Sequence, residues 1–267
     1  MNQVAQAKAL AAGLPGLLLA AERLAHVVAA GVHGRRRAGA GEAFWQFRDF
    51  QEGDESRRID WRRSASGGRL LLREREAQAP AVCMVQLQDT PGLDFASMQD
   101  LPSKRERAAL LLLALSCLLL EAGERVALAG MTVPLAGRLA LPKLAQALLM
   151  DGGAVRDDPK ARHVVFGDFL TPDPVFATAS GGAVLQVLDP AECDFPYVGR
   201  VVFEGFGTPV EAARSQSWQV AYQARLQAQK AAVVAAAQRS GQTPLFHRTD
   251  APPATALAAL YQALRQG

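Results

Sequence analysis

Residues 103–128 read SKRERAALLLLALSCLLLEAGERVAL, and they set the frame for the whole chain. Ser103 stands as an N-cap with Glu106 at the reciprocal capping-box position. Gly123 follows the apolar run where a helix C-terminus needs a residue free to turn. The run itself, Ala108–Leu120, is well short of the ~20 residues that span a bilayer, so it reads as a buried helix. Arg125–Leu128 then restarts as a strand. Immediately upstream, AVCMVQLQD at 81–89 is an apolar strand ending in an acid. Strand, buried helix and strand in succession make a βα unit and predict a parallel sheet with helices on its faces.

The alternation continues toward the C-terminus. LPKLAQALL (141–149) is expected as a short helix, RHVVFGDF (162–169) as a strand, PDPVFATAS (172–180) as a weak helix and GAVLQVLD (182–189) as a strand. GRVVFEG (199–205) reads as a short extended piece at an edge or outside the main ladder. Thr208, Pro209 and Glu211 fill the N-cap, N1 and N3 positions of a long helix running toward Gly241. TPLFH (243–247) is the last strand, and Asp250, Pro252 and Pro253 open a terminal helix.

Toward the N-terminus the pattern changes. FWQFRDF (44–50) and LLLRERE (70–76) read as extended segments flanking a charged stretch, and GVHGRRRAGAGEAF (31–44) as a glycine-rich basic loop. Ahead of them Leu10, Leu14, Leu17, Ala21, Leu24 and Val28 form one helical stripe that continues past Glu22 and Arg23, as an amphipathic helix does and a targeting peptide need not. The expected organisation is therefore an N-terminal helix and charged β/loop extension over residues 1–80, then a doubly wound, mostly parallel α/β domain over 81–267. A cytoplasmic protein without a transmembrane segment is expected.

The net charge of +3 lies within residues 35–76, which hold eleven arginines, eight acids and no lysine. Interleaved acids repel phosphate, so a nucleic-acid partner, with Trp45 and Phe47 for stacking, is not expected. Cys83, Cys117 and Cys193 are widely spaced in apolar surroundings and fit reduced core residues. Ser64 and Ser66 are expected in a glycine-flanked loop without a local histidine, and His26, His33, His163 and His247 are scattered. No nucleophile and base can be paired from this spacing.

Asp89 and Asp168 end strands, where sites of doubly wound sheets form. Two carboxylates there could share a hard cation such as magnesium, which would make the chain a divalent-metal-dependent binder or enzyme, or each could simply cap a turn.

The run GDESRRIDWRRSASGGRLLLREREAQ (53–78), the strand CMVQLQD (83–89) and VVFGDF (164–169) resemble the bacterial family called domain of unknown function 58, itself similar to von Willebrand factor A domains. The likeness runs from about His33 to the C-terminus, and its specific motif is Gly53, Asp54, Arg57, Ile59, Asp60 and Trp61. It implies a parallel α/β sheet whose first strand ends in a metal-ion-dependent adhesion motif, Asp-x-Ser-x-Ser. Asp89 and Asp168 match the acidic positions, but Pro91 and Leu93 stand in place of the two serines and offer no oxygen to a cation. A degenerate site without a functional metal is the expectation. The resemblance also implies an adaptor or assembly role beside a ring-forming AAA+ ATPase of the MoxR type, with no catalytic residues.

In the charged stretch, a turn at Gly53 with Asp54 at its start would let Arg57 reach back to a carboxylate. Alternation would then put Ile59 and Trp61 on one face, Asp60 and Arg62 on the other. Such a segment serves structure, partner recognition, or both, because a preorganised surface loses less entropy on binding.

Overall fold

The computed structural model describes residues 3–34, 45–51, 54–56, 59–75, 81–149, 158, 160–171, 173–204 and 208–266. They fall into two compact units, residues 1–32 with 80–267, and residues 33–79.

The larger unit is built on a six-stranded sheet. Its strands are β3 (Val82–Leu87), β4 (Arg125–Leu128), β5 (Leu135–Ala136), β6 (Arg162–Gly167), β7 (Gly182–Leu188) and β10 (Thr243–Arg248). Their spatial order is β10-β7-β6-β3-β4-β5, with every pairing parallel except the short edge strand β5. β7 is buried along its whole length, as expected for a strand covered on both faces.

On one face pack α3 (Lys104–Glu121), α4 (Leu141–Leu148) and α7 (Pro253–Gln266), with Leu112, Leu115, Leu119, Leu144, Leu257 and Leu260 filling the core. On the other, α6 (Gln219–Arg239) lays Val233 and Ala237 against Val165 and Val184. The capping box of α3 forms as its sequence requires. Ser103 Oγ accepts from the Glu106 amide at 3.2 Å, and the Ser103 amide donates to Glu106 Oε2 at 2.9 Å.

Helix α1 (Gln3–Gly34), which the sequence groups with the extension, joins this same core through Ala21, Ala25 and Val28, with Leu14, Leu17 and Leu24 beside them. By length and composition its segment Gly13–Gly31 is long and apolar enough to cross a membrane. Here one stripe of it is seated on protein.

Gly182 has φ +133°, and a Cβ there would overlap the backbone carbonyl of His163. Glycine at this position lets β7 start flush against β6.

Two expectations fail in this unit. Residues 173–180 form no helix. Pro174 and the β-branched Val175 and Thr178 give the segment weak helix propensity, and tertiary ties hold it open. Phe176 sits edge-on to Phe169 at 5.1 Å, and the Ala179 amide donates to Ser240 O.

The helix expected from Thr208 starts only at Gln219. Val210–Ala212 is instead a strand, β9, paired antiparallel with β8 (Val201–Phe203) in a two-stranded sheet outside the main ladder. Pairing with β8 and the Arg200–Glu211 ion pair override the local start signal. Phe203, stacked with Trp218 and with Phe195, pins β8 to the turn before α6.

The smaller unit pairs β1 (Trp45–Asp49) antiparallel with β2 (Leu71–Arg75), bracketing α2 (Trp61–Gly67). Ser64 is therefore helical rather than in a loop, and α2 includes Ser66. The expected alternation across Ile59 and Trp61 is also corrected. Asp60 N-caps α2, accepting from the Arg63 amide at 3.1 Å, so the chain turns into a helix at Trp61. Ile59 is buried while Trp61 is 63% exposed.

Candidate functional site

β3 leads through α3 to β4 on one side, while β6 leads to β7 on the other, and β3 and β6 are neighbours. Where successive connections leave in opposite directions, a crevice opens beyond the strand ends. Asp89, Thr90 and Asp168 lie there, joined by Asp189 from the end of β7 and by Glu192 on α5 (Pro190–Asp194).

The two carboxylates singled out by the sequence do not act as a pair. Each has its own basic partner from the first turn of α3. Arg105 Nη2 stands 3.0 Å from Asp89 Oδ1 and 3.1 Å from Thr90 O, and its Nε donates to Asp94 Oδ1 at 2.6 Å. Burial works against the Arg105 charge, but hydrogen bonds and charges from Asp94 and Asp89 outweigh it and raise its pKa.

Asp168 is buried, with Oδ1 accepting from Thr90 Oγ1 at 3.1 Å. Its Oδ2 lies 3.6 Å from Lys104 Nζ, which in turn donates to Glu192 Oε1 at 2.5 Å. Lys104 is 0% exposed. Lysine is almost never fully buried unless paired, and here two carboxylates meet it. Burial raises the Glu192 pKa; Lys104 pulls the other way, and Asp168 adds to the upward shift.

The scaffold around this ammonium is closely tied. Asp189 Oδ1 and Oδ2 accept from the amides of Ala191 at 2.8 Å and Ser97 at 3.0 Å. The Asp189 amide donates to Glu192 Oε2 at 2.8 Å, completing a second capping box. Gln186 Nε2 donates to Asp168 O at 2.6 Å. Phe169, next in the chain, has φ +47°, a conformation non-glycine residues rarely adopt. Its carbonyl accepts from Gln229 Nε2. Side chains from β7 and α6 thus hold the two backbone carbonyls that follow the Asp168 side chain along the chain.

These residues do not fit a divalent ion in the manner of the adhesion motif. Pro91 opens a 3₁₀ turn over Pro91–Asp94, and Leu93 is buried beneath it. A proline ring and a packed leucine therefore stand where oxygen ligands would be needed. The cationic position beside Asp168 belongs to Lys104.

Lys104, Arg105, Thr90, Asp189 and Glu192 were not among the residues the sequence singled out. One signal was present. Lys104 and Arg105 are the first two residues of α3, where the helix dipole disfavours cations. Basic residues there call for acids to hold them.

Of the motif in the smaller unit, Gly53 and Arg57 lie outside the described residues. Asp54 Oδ2 accepts from the Gln51 amide at 2.8 Å and so closes a turn. Asp60 caps α2, Ile59 is buried, and Trp61 and Arg62 are exposed. Ser64 Oγ donates to Asp60 O at 2.8 Å and accepts from the Leu71 amide at 2.9 Å, joining α2 to β2.

Residues 46–150 match the family model described as Protein of unknown function DUF58. No curated protein and no solved structure matches the chain. The matched span takes in the charged motif, the strand ending at Asp89 and the helix that carries Lys104, and it supports placing this part of the chain in the domain-of-unknown-function 58 family.

Proposed function

We propose that the chain is a non-enzymatic protein-interaction module, a von Willebrand factor A-like body with a charged extension. Its role is that of a cytoplasmic adaptor or assembly factor working with a MoxR-type AAA+ ATPase or that enzyme's client complex. One observation carries the reading. Trp61 is held 63% exposed at the start of a capped helix, with Arg62 and Arg63 exposed beside it. Tryptophan and arginine dominate the energetics of protein interfaces. The Asp60 cap and the Ser64 bridge fix the backbone beneath them, which lowers the entropy cost of docking. The crest supports the non-catalytic half of the reading, because its carboxylates are engaged by Arg105, Lys104 and backbone amides.

The experiment is capture of a purified MoxR-type ATPase from the same organism, by wild type and by Trp61→Ala and Arg62→Glu. Loss of capture by at least tenfold in both variants, with unchanged melting temperatures, supports the proposal. Equal capture by all three forms, or none by wild type, removes it.

A further inference from the structure

We propose that the ammonium of Lys104 is the resident cation of the sheet crest, standing where a divalent ion would otherwise be held. Asp168 arrives from the end of β6 and Glu192 from α5, and their oxygens lie 3.6 and 2.5 Å from one nitrogen. Thr90 Oγ1, hydrogen-bonded to Asp168 Oδ1, adds a third oxygen to the cluster. One or two carboxylates, completed by water, are what a magnesium-like ion takes from a protein. The oxygen set therefore has the composition of a cation site, and its centre is filled by a charge covalently tied to α3.

That charge excludes a second one. An ammonium and a divalent ion a few ångströms apart in a buried place repel strongly, and Lys104 offers no path for exchange because it is wholly buried. Nor does the crest have an open coordination position for an incoming acidic group, as a bound divalent ion would. Its shape is then independent of the divalent ions in solution. Docking by a partner must use other surfaces.

Removing the tether should expose the underlying site. Lys104→Ala leaves a space lined by the Asp168 and Glu192 oxygens, which is polar enough to admit water and an ion. The test is thermal unfolding and manganese paramagnetic resonance on the full chain as wild type, Asp168→Asn, Lys104→Ala, and Lys104→Ala with Asp168→Asn. Lys104→Ala is expected to melt lower than wild type. With Mn²⁺ at about 100 times its dissociation constant it should recover by roughly 5–10 °C, while wild type and the double variant do not respond. If Lys104→Ala is recovered only unfolded, it is refolded with and without Mn²⁺, and a folded yield that depends on the metal counts as the expected result. The proposal is overturned if Lys104→Ala shows no metal-dependent recovery, folded or not. It is equally overturned if wild type binds Mn²⁺ in a way that Asp168→Asn abolishes. Neither result bears on capture of the ATPase, so the two proposals stand or fall separately.

Discussion

Lys104 Nζ donates to Glu192 Oε1 at 2.5 Å, across 88 positions of sequence. The contact links the start of the helix after the first sheet strand to the short helix after β7. Removing Glu192 leaves the buried Lys104 charge with only the longer contact to Asp168, at 3.6 Å, to compensate it. Glu192→Ala also takes away the acceptor of the Asp189 amide. The expected loss is about 3–5 kcal/mol, read by urea denaturation at neutral pH. A loss below about 1 kcal/mol, the range of exposed pairs, would mean that the contact is not formed in solution.

In the smaller unit a single hydroxyl joins helix to strand. Ser64 Oγ receives the Leu71 amide and donates to the Asp60 carbonyl. Ser64→Ala leaves that amide without its acceptor, a cost of about 1–3 kcal/mol for a buried group. Hydrogen exchange at Leu71 should accelerate by roughly tenfold or more, since each 1.4 kcal/mol of opening energy is a factor of ten. Exchange in β6 and β7 should stay as it was. An unchanged Leu71 rate contradicts the bridge.

The sequence made the larger unit legible because its signals are local and mutually consistent. The Ser103 capping box, the apolar run behind it and the continuously apolar β6 and β7 each specify one structure, and each forms. Legibility ended where a local signal met a distant partner. Thr208, Pro209 and Glu211 spell a helix start, yet pairing of Val210–Ala212 with β8 wins. Trp61 reads as a strand residue in an alternating run, but Asp60 caps a helix there. At the crest, Asp89 and Asp168 were visible as acids after strands. Their neutralisers were not, because Lys104 and Arg105 sit in a run of charges that looks like a solvated helix start. Only the fold brings Glu192, 88 positions along the chain, to the crest to show that Lys104 points inward.

His247, on β10, gives the protein a pH dependence whose sign can be worked out. Burial lowers its pKa, the nearby positive charge of Arg107 lowers it further, and Asp250 opposes both; the result is a value of about 4 against an ordinary 6.5. Arg107 is fixed in place, its guanidinium donating to Thr249 O at 2.7 Å and Ala251 O at 3.2 Å. The folded state therefore keeps His247 neutral at pH values where the unfolded chain has taken up a proton. Above about pH 6.5 neither state is protonated and the residue contributes no slope. Between about 6.5 and 4 the unfolded state binds more protons, so stability falls as pH falls. Below about 4 both states are charged and the penalty is constant. Its full size is on the order of 3 kcal/mol, at 1.36 kcal/mol per pKa unit. His247→Gln carries no titrating ring, so its stability measured by denaturant titration should fall less steeply than wild type from pH 6.5 to 4. Parallel curves for the two proteins over that interval would show that another group carries the dependence.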